Sequence, residues 1–180
     1  MPTITEKTKD SFEALKGNFG YTNRQQSPHI EKVVISVGVG RVNKDKKRLE
    51  LIENRLATIC GQRAARRPAK KSIASFKTRE GDIVGFQITL RGSRARGFLE
   101  KFFNVVLPRT RDFRGILPSI IDDMGNLTIG VREHTIFPET ADEDIKDVFG
   151  LSVTLVSTAH NKEEARAYFE YLEVPFVKTI

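Results

Sequence analysis

The 180-residue sequence is short of several things, and each shortage excludes a class. Cys60 is its one cysteine. A single thiol builds neither a disulfide framework nor a cysteine-based zinc site, and this usage fits a reducing compartment. No apolar run approaches the ~18 residues that a membrane span needs. The opening "MPTITEKTKDSFEALKGNFGY" mixes Glu and Asp with Lys and has no apolar block, so it reads as neither a signal nor a transit peptide. No internal repeat and no low-complexity tract occurs. No Gly-x-x-x-x-Gly-Lys-Ser/Thr is found, which removes the P-loop. His29, His134 and His160 are scattered, with no pair at ligand spacing on one helix. They read as ordinary histidines, with no metal site. Cys60, at a helix end, reads as a small apolar filler.

Composition is that of a globular chain, with 39% hydrophobic and 29% charged residues. The length suits one domain, 1–180, with a real core. Charge is where the sequence departs from the ordinary. The net charge is +7, but residues 1–31 are neutral, residues 32–114 carry +14 and residues 115–180 carry −7. A central block at +14 attracts polyanions.

The pattern of elements is legible. Phe12, Leu15 and Phe19 give a helical stripe over 6–18. "YTNRQQSPH" reads as a loop. "IEKVVISVGV" (30–39) reads as a strand, with Val33, Ile35, Val37 and Val39 on one face and Lys32, Val34, Ser36 and Gly38 on the other. Asp45 caps a helix running to Cys60, striped by Leu49, Ile52, Leu56 and Ile59 and ended by Gly61. "IVGFQITLRG" alternates strictly, with Gln87, Thr89 and Arg91 opposite Val84, Phe86, Ile88 and Leu90. A helix over 93–106 stops before Pro108. "ILPSIIDDMGNLTIGV" predicts two strands joined at "DDMGN". "GLSVTLVST" predicts another. Asn161 and Glu164 form a capping box that opens a last helix, with Ala165, Tyr168, Phe169 and Leu172 inward. The fold class is α+β: a mostly antiparallel sheet with helices packed on one face. Its other face carries Lys32, Ser36, Gln87, Thr89 and Arg91.

Between the second helix and second strand lies "RAARRPAKKSIASFKTREG" (63–81). It holds seven Lys or Arg before its first carboxylate, Glu80. It has no steady period, and Pro68 forbids a helix through it. Ile73 and Phe76 among the cations suit stacking on RNA. "LRGSRAR" places three arginines at a helix N-terminus, against the macrodipole, which suits an external anion. "LPRTRDFRG" adds three more around Asp112. Against these, "GVGRVN" (38–43) follows a strand as a dinucleotide loop does. Asn43 stands where the third glycine belongs, though, and no βαβ unit follows. Asp122 and Asp123 read as turn residues.

The stretches "IEKVVISVGVG", "GQRAARRPAKKSIASFKTREGDIVGFQITLRG", "LPRTRDFRGI", "GNLTIGVREHTIFPE" and "GLSVTLVSTAHNKEEARAYFEYLEVPF" resemble, in order, the bacterial-type family of large-subunit ribosomal protein five. This is the family that binds 5S ribosomal RNA. The resemblance runs from about Phe19 to Phe176. It implies an α+β sandwich and a structural, non-enzymatic role without cofactor in the central protuberance of the large subunit. It implies 5S ribosomal RNA contacts at Lys32, Ser36, Gly38, Gln62, Thr89 and Arg91. It implies that a protruding basic loop at about 66–85, with Lys70, Lys71, Ser72, Phe76, Lys77 and Arg79, faces the tRNA of the peptidyl site. It also implies that Arg109, Arg111, Asp112 and Arg114 meet a protein of the small-subunit head in an intersubunit bridge. Further implied partners are large-subunit ribosomal RNA and other central-protuberance proteins, with no membrane. The place implied is the cytoplasmic ribosome of a bacterium, or of a plastid. The family usually has Asn where this chain has Ser36, which keeps a hydroxyl but loses the amide's paired geometry. Two other readings stay open: a general RNA chaperone without a preference for 5S, and a nucleotide-dependent enzyme using the Gly38–Gly40 loop.

Overall fold

A computed structural model describes residues 4–111, 113–141 and 147–177, without the side chains of residues 5 and 9. Helix α1 (Ile4–Phe19) comes first, then strand β1 (Ile30–Gly38), helix α2 (Lys46–Cys60) and strands β2 (Ala65–Pro68) and β3 (Ile83–Leu90). Helix α3 (Gly92–Lys101) runs through a π-helical turn (Phe102–Val106) into a short α4 (Leu107–Arg109). Strands β4 (Leu127–Val131) and β5 (Leu151–Ser157) and helix α5 (Lys162–Tyr171) complete the chain.

The five strands form one sheet in the order β2-β3-β1-β5-β4. β2 pairs antiparallel with β3, Ala65 opposite Gln87 and Arg67 opposite Gly85. β1 and β5 are antiparallel too: the Thr158 N–H bonds the His29 carbonyl, while Ser152 Oγ bonds the Ser36 carbonyl. The period-2 pattern decides which side of each strand is buried. Val33, Ile35 and Val37, then Phe86, Ile88 and Leu90, then Val153 and Leu155 are all at most 2% exposed, and the residues between them are half-buried. Burying such a side chain is worth about 1.5–3 kcal/mol.

The chain divides into two compact units. One comprises residues 1–33, 90–129 and 154–180, and the other residues 34–89 and 130–153. In the first, α1 packs on α3 and α5, and Leu99, Phe102, Val106, Ala165, Tyr168 and Phe169 are fully buried. The buried Tyr21 hydroxyl donates to Glu164, tying the segment after α1 to α5. In the second, α2 buries Leu49, Ile52, Leu56 and Ile59 as its spacing predicts. Asp45 accepts from the Arg48 N–H at 3.2 Å, and Gly61 ends the helix at φ 64°.

Four local expectations are corrected. The basic segment is not wholly loop: residues 65–68 form β2. Pro68, which has no N–H to give a ladder, is tolerated because β2 is the sheet's edge and the register shifts beside it. The third helix does not stop before Pro108. The π-helical turn, where the Leu107 N–H reaches back to the Phe102 carbonyl, loosens the turn that a proline ring would strike, and one further turn follows. The first of the two strands expected in 116–131 is absent. Ile116 makes a single bridge to Phe176, and residues 118–120 form a 3-10 turn begun by Pro118. The turn at 122–126 does form, with the Asn126 N–H bonded to Asp122 Oδ1 at 2.6 Å. Finally, Asn161 caps α5 by accepting from the Glu164 N–H at 2.8 Å, but Glu164 returns its carboxylate to the His160 N–H, one residue earlier than a capping box requires.

Gly97, in the middle of α3, has open space where a Cβ would stand. Gly97→Ala is therefore expected to raise stability by about 0.5–1 kcal/mol through helix propensity alone. A higher urea midpoint at unchanged slope is the check.

Candidate nucleic-acid interface

In the second unit the open sheet face is built from small polar groups. Ser36 is half-buried on β1, and its carbonyl accepts from Ser152 Oγ at 3.4 Å. Gly38 ends β1, exposed, with nothing near its missing Cβ, so a partner's backbone can come close. Gln62 follows α2, and its Nε2 donates to the Thr89 carbonyl on β3 at 3.4 Å. The structure thus brings Gln62 to Thr89, residues that lie 27 apart in sequence. Lys32 and Arg91 belong to the first unit. Lys32 Nζ lies 3.4 Å from Glu31 in an exposed, weak pair. Arg91 is exposed at the N-cap of α3, whose first N–H groups receive no side-chain cap. That end offers unspent donors to an anion.

Four further polar residues are not among the contacts expected from the sequence. Arg67 on β2 donates through Nε to Gln87 Oε1 at 2.7 Å, and through its second nitrogen as well. Ser152 lies beside Ser36. In the first unit, Thr128 and Thr154 share a hydroxyl bond at 3.0 Å. The signal was present in the alternation of "LSVTLVS", whose outward residues are Ser, Thr and Val.

The basic segment divides in two. Its first part is partly neutralised from within. Glu53 on α2 is 5% exposed and accepts from Arg63 Nε (2.9 Å) and from Arg66 Nε and Nη2 (2.9 and 2.7 Å). Burial works to raise the Glu53 pKa, but the two guanidinium groups outweigh it and hold the carboxyl below its ordinary range. The second part is an ordered turn. The N–H groups of Ile73 and Thr78 exchange bonds with each other's carbonyls at 3.0 and 3.2 Å, Ser72 Oγ accepts from the Glu80 N–H at 2.9 Å, and the Arg79 N–H bonds Asp82. Lys70, Lys71, Phe76, Lys77 and Arg79 stand around it, all exposed.

Arg109 closes α4, and Arg111 and Arg114 follow it, all exposed in the first unit. Asp112, expected among them, lies outside the described residues. His134, in the second unit, is fully buried. It stacks on Phe149 at 4.1 Å, with Nε2 3.3 Å from Arg55 Nη1.

Comparison with known proteins decides the family. Residues 23–79 match the family model of ribosomal protein L5, and residues 83–176 match the model of the same ribosomal family's C-terminus. The chain belongs to the ribosomal protein L5 family. Among similar curated proteins, the large ribosomal subunit protein uL5 of Ureaplasma urealyticum is 47% identical over 91% of this chain and 89% of its own. That of Caldanaerobacter subterraneus subsp. tengcongensis is 45% identical over 99% of this chain and all of its own. The Carboxydothermus hydrogenoformans protein is 42% identical over 98% and 99%. The L5 match spans both units, so the open face and the basic turn described above both fall within it.

Proposed function

We propose that this L5-family protein is a structural constituent of the large ribosomal subunit that anchors 5S ribosomal RNA. The observation that carries the reading is the polar sheet face, where exposed Gly38 and half-buried Ser36, Gln62 and Thr89 present bare backbone, hydroxyl and amide groups. Small polar groups and close backbone approach suit the shape and 2′-hydroxyls of RNA. Lys32 and Arg91 add phosphate contacts that fix register. The ordered turn, with Lys70, Lys71, Ser72, Phe76, Lys77 and Arg79, faces peptidyl-site tRNA. Arg109, Arg111, Asp112 and Arg114 meet a protein of the small-subunit head. The role is structural, in the cytoplasmic ribosome, beside large-subunit ribosomal RNA and other central-protuberance proteins.

The test is a competition gel shift with labelled 5S ribosomal RNA at two salt concentrations, against excess tRNA and excess unrelated duplex RNA. A shift that survives both is expected from a shaped site. A shift erased by either leaves only counterion release from the basic block, and the reading gives way to a general RNA chaperone. Arg91→Ala is expected to weaken 5S binding roughly tenfold, in line with the ~1–3 kcal/mol of one good polar contact to a nucleic acid. Lys71→Glu is expected to spare 5S binding and to reduce tRNA binding on reconstituted ribosomes. Equal 5S losses from both variants would remove the division of labour.

A further inference from the structure

Arg67 and Gln87 are not used by the contacts proposed above, and their geometry gives one part of the polar sheet face a fixed polarity. Both lie in the second unit, on the neighbouring strands β2 and β3. Arg67 Nε donates to Gln87 Oε1 at 2.7 Å, and Arg67 Nη2 donates to the same oxygen. A guanidinium has donors only, so the oxygen end of the amide must face it. That leaves Gln87 Nε2 to point away. This nitrogen has no hydrogen-bond partner among the described residues and is not shut off from solvent. Arg67 is exposed, has no carboxylate partner among the described residues, and keeps unspent guanidinium N–H groups. Nothing bulky lies opposite: Ala65 faces Gln87 across the ladder, and Gly85 faces Arg67. A Cβ at Gly85 would stand 3.1 Å from the Val37 carbonyl oxygen, so the strand spacing keeps that position bare. By alternation, Gln87 shares its face of β3 with Thr89, opposite the buried Phe86, Ile88 and Leu90.

A cluster that offers donors and no acceptor fits a group that only accepts and carries negative charge. A base edge or a ribose hydroxyl mixes donors with acceptors, and a neutral carbonyl leaves the charge of Arg67 unused. We propose that Arg67 and Gln87 form a phosphate site on the sheet face, where the Gln87 amide N–H groups and the unspent guanidinium N–H groups hold the oxygens of one RNA phosphate. Arg67 is also a positioning residue, because it fixes which end of the Gln87 amide faces outwards. A protein carboxylate would meet the same donors. Thr89, next along the same face of β3, belongs to the proposed RNA contact, so the backbone of that RNA is the nearer acceptor. A phosphate held here fixes the register of the RNA on the sheet without reading its sequence. The inference rests on the RNA-binding reading of this face, and on 5S ribosomal RNA only for which RNA is held.

The experiment is the 5S gel shift over a series of salt concentrations, with the full chain carrying Gln87→Met, Gln87→Glu, Arg67→Met, or Arg67→Met with Gln87→Met. Gln87→Met keeps the length and loses the donors. It is expected to weaken 5S binding roughly tenfold without changing the slope of log affinity against log salt, because a neutral amide displaces no counterion. Gln87→Glu keeps an acceptor for Arg67 and puts oxygen where the outward N–H groups stood. It is expected to bind more weakly still, while its circular-dichroism melt matches or exceeds that of the wild type. An amide that serves only the fold would lose nothing by this change. Arg67→Met is expected to weaken binding and to lower the salt slope by about 1. The double variant is expected to lose less than the two single losses combined, because both residues act on one phosphate. Unchanged 5S binding in Gln87→Met overturns the proposal and leaves a protein carboxylate as the acceptor. An unchanged slope in Arg67→Met, or fully additive losses, also overturns it. Arg91→Ala losing affinity while the Gln87 variants do not would sink this site and spare the proposed function. A wild type that prefers 5S no better than unrelated duplex would sink that function, and the same losses read on the duplex would then decide this site. A chain that binds no RNA overturns both.

Discussion

Gly115→Ala is expected to cost about 3 kcal/mol or more of unfolding free energy. Two separate penalties act at this position. Gly115 sits at φ 105°, a region where a side chain is strained by about 1–3 kcal/mol. An added Cβ would also stand 2.8 Å from the Val177 nitrogen and 3.0 Å from the Phe176 carbonyl carbon. Both are backbone atoms, and they are held there: the Ile116 N–H bonds the Pro175 carbonyl at 2.8 Å, and the Val177 N–H bonds the Ile116 carbonyl at 2.9 Å. The clash must therefore push two hydrogen-bonded stretches of chain apart, which adds about 1–3 kcal/mol. Urea unfolding followed by circular dichroism reads the loss, and Gly97→Ala is the control for the substitution itself. A loss under about 1 kcal/mol would mean that the C-terminal segment moves aside freely. Gly115 adjoins Arg114, so the variant also tests whether the arginines of the proposed bridge need this segment to be docked.

The second large effect is expected from Glu53→Ala. Its carboxylate is nearly buried and accepts three hydrogen bonds from Arg63 and Arg66. Hydrogen bonds to charged groups are worth about 1.5–3 kcal/mol each when broken singly. Both arginines are half-exposed or more and can turn to water, so the net loss is placed at about 2 kcal/mol. Because the folded-state pKa of Glu53 lies below its ordinary value near 4.5, the contribution is fully present above that value. It is lost as the pH falls through the depressed pKa. The stability gap between wild type and Glu53→Gln is therefore expected to be steady from about pH 7 to 5 and to shrink below about pH 4. A gap that persists into strong acid would assign the effect to packing. Amide exchange should also speed at β2, since Glu53 is what ties that edge strand to α2.

Much of this was legible in the sequence because it depends on local rules. The strict alternations in 30–38 and 83–90 determined which side of each strand is buried. The Asp45 cap, the Leu49-Ile52-Leu56-Ile59 stripe and Gly61 determined α2 nearly to the residue. The family motifs carried the identity of the whole chain. What the sequence left open was settled by partners distant along the chain. Residues 65–68 have no strand signature of their own. They pair because β3 offers an edge and because Glu53, earlier on α2, offsets part of the charge of Arg63 and Arg66. The segment 116–121 reads as a strand by its isoleucines, but it makes only isolated bridges, Ile116 to Phe176 and Ile121 to Leu127. The approach of Gln62 to Thr89, the junction of Ser36 with Ser152, and the pairing of Arg67 with Gln87 are likewise invisible to periodicity. Periodicity reports which face of an element is apolar. It is silent on which other element meets that face, because that choice is made by burial and charge pairing across the folded chain.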